Sequence, residues 1–276
     1  KIWTLHDCWA FTGHCAYYTY AKCNKWKTCC KGDCPNKNEY PKTIFSKVES
    51  NFNRKRKIFC DLENMILVTP SKWLKKEVEK SYLKSYQTEV IHNGVDTKVF
   101  KYTASDIKEK YGIKNKKVIL GVASVWDKRK GLDIFIELSK QLDNEYQIIL
   151  IGLNKKQKKK LPSNIIGITR TENIEELVKW YSATDIFFNP TLEDNYPTTN
   201  LEAIACGTPV LTFETGGSPE SALLIENSII SKNDLGSFIK YLQSVKTPRD
   251  NLTTISIKEM NKKYNNIYNE ENGIVL

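Results

Sequence analysis

Several common signatures are missing from this sequence. It has no Gly-x4-Gly-Lys phosphate loop and no Gly-x-Gly-x-x-Gly turn, so the usual nucleotide fingerprints fail. No Gly-x-Ser-x-Gly elbow is present, which argues against an α/β-hydrolase. No Asp-x-Asp pair stands ready to chelate a metal–diphosphate, so a bound phosphate would be neutralised by Lys, Arg and helix amides. No run approaches the roughly 18 apolar residues of a membrane-spanning helix. No charged-then-apolar leader opens the chain, so no secretory signal is expected. Arginine is scarce, at 54, 56, 129, 170 and 249 only.

What is present is an ordinary globular composition. Of 276 residues, 40% are hydrophobic and 27% charged, enough to build a core and to exclude wholesale disorder. At roughly 100–200 residues per domain, one large domain or two ordinary ones are expected. The net charge of +10 comes almost entirely from Lys. It admits nucleic acid, anionic lipid or a phosphate-bearing substrate as partner.

Six of the eight cysteines lie between Cys8 and Cys34. Without a secretory context, a disulfide framework is not the first reading. Cys15, Cys23, Cys30 and Cys34, with His14 nearby, could supply the soft tetrahedral set that zinc favours. Reduced thiols in a folded insertion explain the same pattern.

Ile2–Leu5 reads as a short buried strand with nothing before it to pair with, and residues 8–42 as an irregular excursion. Ile44, Phe45, Val48 and Phe52 give helical spacing over 43–60. From Met65 the rhythm is regular. Buried strands are expected at 65–68, 89–91, 118–123, 147–151, 165–168, 186–188 and 209–213. Helices are expected over 71–82, 105–111, 131–142, 174–182, 199–205, 235–245 and 253–269, with Ser71 an N-cap. Asn93-Gly94 reads as a turn, and Asn154–Lys160 as a solvated loop. The alternation implies an α/β fold with a parallel sheet covered on both faces.

Ligands of such sheets bind beyond the carboxyl ends of the strands. After the 118 strand come Ser124, Asp127, Arg129, Lys130 and Gly131, a basic turn at a helix start that suits a diphosphate. A solvated basic loop is the alternative. After the 186 strand comes Glu193-Asp194-Asn195-Tyr196-Pro197-Thr198-Thr199-Asn200-Leu201-Glu202. Asp194 could accept sugar hydroxyls, Glu202 could hold ribose, and the amides at the helix start could meet phosphate. A polar loop before a helix explains the segment equally.

Asp194-x7-Glu202 followed by Ala203-Ile204-Ala205-Cys206-Gly207-Thr208-Pro209-Val210 closely resembles glycosyltransferase family 4, the retaining GT-B enzymes. Lys130-Gly131 resembles their diphosphate-binding Lys-Gly, and Asn93-Gly94-Val95-Asp96 their interdomain segment. Trp3-Thr4-Leu5-His6-Asp7, Trp9, Phe11-Thr12-Gly13 and the cysteines resemble a subgroup of capsular and exopolysaccharide synthesis.

The resemblance implies a GT-B-like fold in three parts. Residues 1–98 would be the end portion of an N-terminal, Rossmann-like, acceptor-binding domain with a Cys-rich insertion. Residues 99–252 would be a C-terminal, Rossmann-like nucleotide-sugar domain. Residues 253–276 would form a helix packing back on the first, with Met260, Tyr264 and Tyr268 as its apolar stripe. A chain starting at Lys1 would then be an N-terminally truncated fragment.

It also implies roles. His6 and Asp194 would act at the transferred sugar. Lys130 and Arg129 would hold the diphosphate, with Ser124 where the family often carries Arg. Tyr196, Thr198 and Thr199 would face phosphate or sugar, and Glu202 the ribose. The reaction would move a sugar from a nucleotide diphosphate sugar, with retention, to a glycan or lipid-linked glycan. No cofactor is required for it. A cytoplasmic location, peripheral at the inner membrane face, would suit the basic residues Lys22, Lys25, Lys27, Lys31, Lys37, Lys42, Arg54, Lys55, Arg56 and Lys57 against anionic lipid; a Lys-rich solvated surface explains them as well. No nucleic acid is expected, because no such module is recognisable. Another GT-B enzyme such as a nucleotide-sugar epimerase, a non-catalytic binding module and an inactive fragment are the competing readings.

Overall fold

The computed structural model describes residues 1–38, 40–43, 47–222, 229–231, 235–244 and 254–271. The chain divides into two units, Lys1–His92 with Glu193–Tyr196, and Asn93–Leu192 with Pro197–Leu276.

The first unit holds β1 (Ile2–Thr4), α1 (Val48–Phe59), β2 (Ile66–Thr69), α2 (Lys72–Glu79) and β3 (Gln87–Val90). The strands form a parallel sheet in the order β1-β2-β3. The apolar run at 66–68 makes β2 the buried central strand, as a strand covered on both faces requires. β1 is an edge strand paired with β2, and it is half-buried where a buried strand was expected. Ser71 caps α2 as expected, its Oγ accepting from the Leu74 amide at 3.0 Å. Helix α1 starts at Val48, and the expected helical residues Ile44 and Phe45 lie outside the described residues. The excursion before it contains two short 3-10 turns, Trp9–Phe11 and Lys25–Lys27. Phe11, Trp26, Phe52, Leu67 and Leu74 are fully buried in one apolar cluster with Cys8, Cys15 and Cys30. Each large apolar side chain so buried contributes about 1.5–3 kcal/mol.

The second unit runs α3 (Ile107–Lys110), β4 (Lys117–Val122), α4 (Leu132–Ser139), β5 (Tyr146–Ile151), α5 (Lys155–Lys159), β6 (Ile165–Ile168), α6 (Ile174–Ala183), β7 (Ile186–Asn189), α7 (Thr198–Ala205), β8 (Val210–Phe213), α8 (Ser218–Ala222), β9 (Ile229–Ser231), α9 (Leu235–Ser244) and α10 (Ile257–Glu271). Among the described residues its six strands are parallel in the order β6-β5-β4-β7-β8-β9. The chain winds outward from β4 in one direction, returns, and winds outward from β7 in the other. That is the doubly wound Rossmann order, and its switch point lies between β4 and β7. Ile119, Phe135, Ile148, Leu150, Ile186, Phe188 and Leu211 fill the core.

Three local expectations are corrected here. Asn154–Lys160 is not a loop throughout: Asn154 and Gln157 form a capping box that nucleates α5 within the Lys run. Asn93-Gly94 is not a tight turn. Val95 bridges Ser256, and a Cβ on Gly94 would lie 2.5 Å from the Ser256 carbonyl oxygen, so glycine serves close backbone approach. On α10, Met260, Tyr264 and Ile267 are half-buried, whereas Tyr268 is exposed. Neither α8 nor β9 was anticipated. Among the described residues no helix is long and apolar enough to cross a membrane.

Candidate functional site

The switch point of the second unit is built from the turns that follow β4 and β7. The first, Asp127–Gly131, leads into α4. Asp127 organises it: its Oδ1 accepts from the Lys130 amide at 2.9 Å, and its Oδ2 lies 3.7 Å from Arg129. Gly131 is the N-cap of α4 at φ +78°. A Cβ there would sit 2.5 Å from the Pro190 carbonyl oxygen, so the left-handed backbone and the close approach both demand glycine. The second turn is tied to the first by the Leu192 amide, which donates to the Arg129 carbonyl at 2.7 Å. Ser124, Arg129 and Lys130, three of the expected donor residues, are thus carried on one braced segment, with Ser124 exposed and the two cations half-buried.

Helix α7 starts at Thr198, exposed, and Thr199, half-buried. Its first turn is anchored by Asn200, which accepts from Asn189 Nδ2 at 2.9 Å and donates to Ser221 Oγ at 2.8 Å. One turn on, Glu202 accepts from the Tyr181 hydroxyl at 2.8 Å. Burial raises the Glu202 carboxyl above its ordinary value, and the hydroxyl partly offsets this. Tyr181, Asn189 and Asn200 carry no local signature. Only the sheet order brings them together.

His6, Asp194 and Tyr196 belong to the first unit. His6 is exposed at the end of β1, whereas Glu193, Asp194, Asn195 and Tyr196 are all buried. Glu193 accepts from the Tyr20 amide at 2.5 Å and from Thr19 Oγ1 at 3.1 Å. Asn195 donates to the His6 carbonyl at 2.9 Å and accepts from Ser71 Oγ at 2.5 Å. The Tyr196 ring stacks on His92 at 4.8 Å. Reading this segment as a polar loop missed the role of Asn195, which links the start of β1's loop to the cap of α2.

Cys15, Cys23, Cys30 and Cys34 pack around the first unit's core, and all eight cysteines are unbridged. Burial pushes the Cys15 thiol up to about 12 and that of Cys30 to about 11, and neighbouring thiols add to both. Among the described residues no three His, Cys, Asp or Glu side chains are placed to hold a metal ion.

The fold is GT-B-like. Sucrose-phosphate synthase from Thermosynechococcus elongatus superposes with a TM-score of 0.67 at 18% identity, over 84% of this chain and 65% of that one. Alr3699/HepE from Anabaena, solved in complex with UDP, does so with a TM-score of 0.67 at 17% identity, over 98% and 72%. At those identities the likeness concerns the fold.

Residues 116–245 match the family "Glycosyl transferases group 1". It is 24% identical over 223 residues to WcaC of Escherichia coli (strain K12), assigned as a colanic acid biosynthesis glycosyl transferase; the match covers 79% of this chain and 53% of WcaC. The chain spans about half the length of the curated relatives it matches.

Proposed function

We propose that this chain serves a glycosyl transfer from a nucleoside diphosphate sugar, with retention at the anomeric carbon, to a glycan or lipid-linked glycan in surface polysaccharide synthesis. The observation that carries the reading is the switch point itself. A glycine-terminated basic turn and the start of α7 share one face at the carboxyl ends of β4 and β7, where doubly wound sheets take nucleotides.

Lys130 and Arg129 neutralise the diphosphate, and the free amides at the start of α7 add donors. Glu202 accepts the ribose hydroxyls. His6 and Asp194 act on the transferred sugar. The C1–O bond to the diphosphate breaks with its electron pair on the leaving oxygen. That oxygen takes the acceptor's proton as the new C1–O bond forms on the same face, so no separate base is needed. The protein supplies orientation and stabilises the departing charge. Of Lys22, Lys25, Lys27, Lys31, Lys37, Lys42, Arg54, Lys55, Arg56 and Lys57, all but Lys55 are exposed, which supports a peripheral approach to anionic lipid by the first unit. The WcaC likeness supports the polysaccharide role, and the UDP complex of a fold neighbour supports the donor class.

The test is calorimetric binding of UDP, GDP and their sugars to wild type, Lys130→Ala and Glu202→Ala. Saturable binding, weakened by at least about tenfold in each variant, is expected. Equal binding by all three proteins would sink the site, and no binding by wild type would sink the donor reading.

A further inference from the structure

Between Leu5 and Thr12 only two residues are exposed, and both carry rings: His6 and Trp9. Leu5, Cys8, Ala10, Phe11 and Thr12 are buried around them. This segment belongs to no long helix or strand, yet its carbonyls are pinned by side chains from distant positions. Asn195 holds the His6 carbonyl at 2.9 Å, and the Tyr82 hydroxyl holds that of Ala10 at 2.6 Å. Lys55 Nζ holds Trp9 at 2.7 Å and Thr12 at 3.0 Å. The Trp9 amide donates to Asp7 Oδ1 at 2.7 Å.

Lys55 does more than hold carbonyls. Its ammonium lies 3.3 Å from the centroid of the Trp9 ring, so one face of the indole is covered by a cation. Trp9 nevertheless remains 43% exposed. A rigid aromatic surface with one face backed by a buried lysine, left open to solvent three residues from His6, has lost the rotamer freedom that an ordinary surface Trp keeps. Such preorganisation favours recognition of a flat apolar surface over incidental exposure.

We propose that Trp9 is the stacking platform of an acceptor-sugar subsite. A pyranose presents a face of C–H groups that packs against an aromatic ring, while its hydroxyls remain at the rim for polar groups. Lys55 is then a positioning residue, fixing the ring without touching the sugar. This inference rests on the glycan-acceptor reading above and deepens it, because it assigns the acceptor's place to a named residue.

The test uses the whole chain labelled with [15N]tryptophan. The indole N–H resonance missing from Trp9→Phe identifies Trp9 among the six tryptophans. Methyl α- and β-glucopyranosides, galactopyranosides and mannopyranosides are titrated in, then UDP, then vesicles of phosphatidylcholine and phosphatidylglycerol. The expected result is a saturable shift of the Trp9 resonance with at least one glycoside, and loss of saturation transfer to that glycoside in Trp9→Ala. No shift with any glycoside while UDP binds overturns this inference and leaves the donor reading intact. Silence toward both glycosides and UDP overturns both. A shift with vesicles alone overturns it in favour of Trp9 as an interfacial anchor. The wild-type resonance decides these outcomes even if Trp9→Ala folds poorly.

Discussion

The side-chain amide of Asn195 donates to the carbonyl oxygen of His6 at 2.9 Å, across 189 positions of sequence. The same side chain accepts from Ser71 Oγ, which also caps α2. One buried amide thus fixes the exit of β1 and the start of the helix after β2.

Asn195→Ala leaves a part-buried carbonyl and a buried hydroxyl without this partner. Each such loss costs about 1–3 kcal/mol, so the urea midpoint falls. In a sugar-transfer assay kcat is expected to fall more than KM rises, because the change acts on the position of His6. Asn195→Asp retains the acceptor for Ser71 but not the donor for His6, and is expected to restore stability in part and kcat hardly at all. Equal rescue of both would argue against a positioning role.

Gly131→Ala places a side chain at φ +78° and 2.5 Å from the Pro190 carbonyl oxygen. The backbone alone costs about 1–2 kcal/mol. The turn must also shift away from the segment after β7, so nucleotide affinity is expected to fall together with the thermal midpoint. Calorimetric titration of UDP and a melting curve read both.

Glu202→Gln is expected to stabilise the protein while weakening the donor. Burial raises the folded carboxyl above its unfolded value. Below the unfolded value both states are protonated, and the cost of a buried charge is absent. As pH rises, the unfolded chain releases the proton first, so the folded state loses relative stability until the folded carboxyl also ionises. The variant should therefore melt above wild type at pH 7, with the gap closing toward pH 4. A charged hydrogen bond to ribose is worth about 1.5–3 kcal/mol, which predicts an affinity loss of about 10- to 150-fold.

Lys55 has the opposite profile. Burial lowers its ammonium to about 8, although neighbouring Cys15, Cys30 and Asp7 pull it upward. His14, whose imidazole is lowered by burial and by Lys55 itself, faces the same region. Below pH 8 both folded and unfolded chains hold the proton, and the burial cost is complete. Between about 8 and the ordinary lysine value of 10.5 the unfolded chain holds more of it, so the stability of wild type relative to Lys55→Met rises with pH. Urea unfolding of both proteins at pH 7, 8.5 and 9.5 checks the direction; a constant difference would show that Lys55 does not titrate there.

The alternation of elements was legible because each buried parallel strand is an apolar run, as at Ile148–Ile151 and Ile186–Phe188. Short pieces such as β9 and α5 escaped for different reasons. The three residues of β9 carry too little pattern to stand out. In α5 a capping box outweighed the apparent solvation of a Lys run. Lys130-Gly131 and Asp194-x7-Glu202 stood out because each pattern is contiguous or closely spaced in sequence. The supports of those groups did not, because Tyr181 meets Glu202 from another helix and Lys55 meets Trp9 from 46 positions away.

The sequence by itself determined the α/β alternation, the chemistry available at each strand end and the resemblance to glycosyltransferase family 4, since these reside in local pattern. Tertiary structure decided the strand order and hence the switch point. It also decided that Glu193–Tyr196 belongs to the first unit, and that Lys55 alone among the ten basic residues singled out between Lys22 and Lys57 is buried. Burial and pairing depend on which distant segments meet. A charged or polar residue is tolerated inside only where such a segment brings a carbonyl, a hydroxyl or a ring within about 3–6 Å.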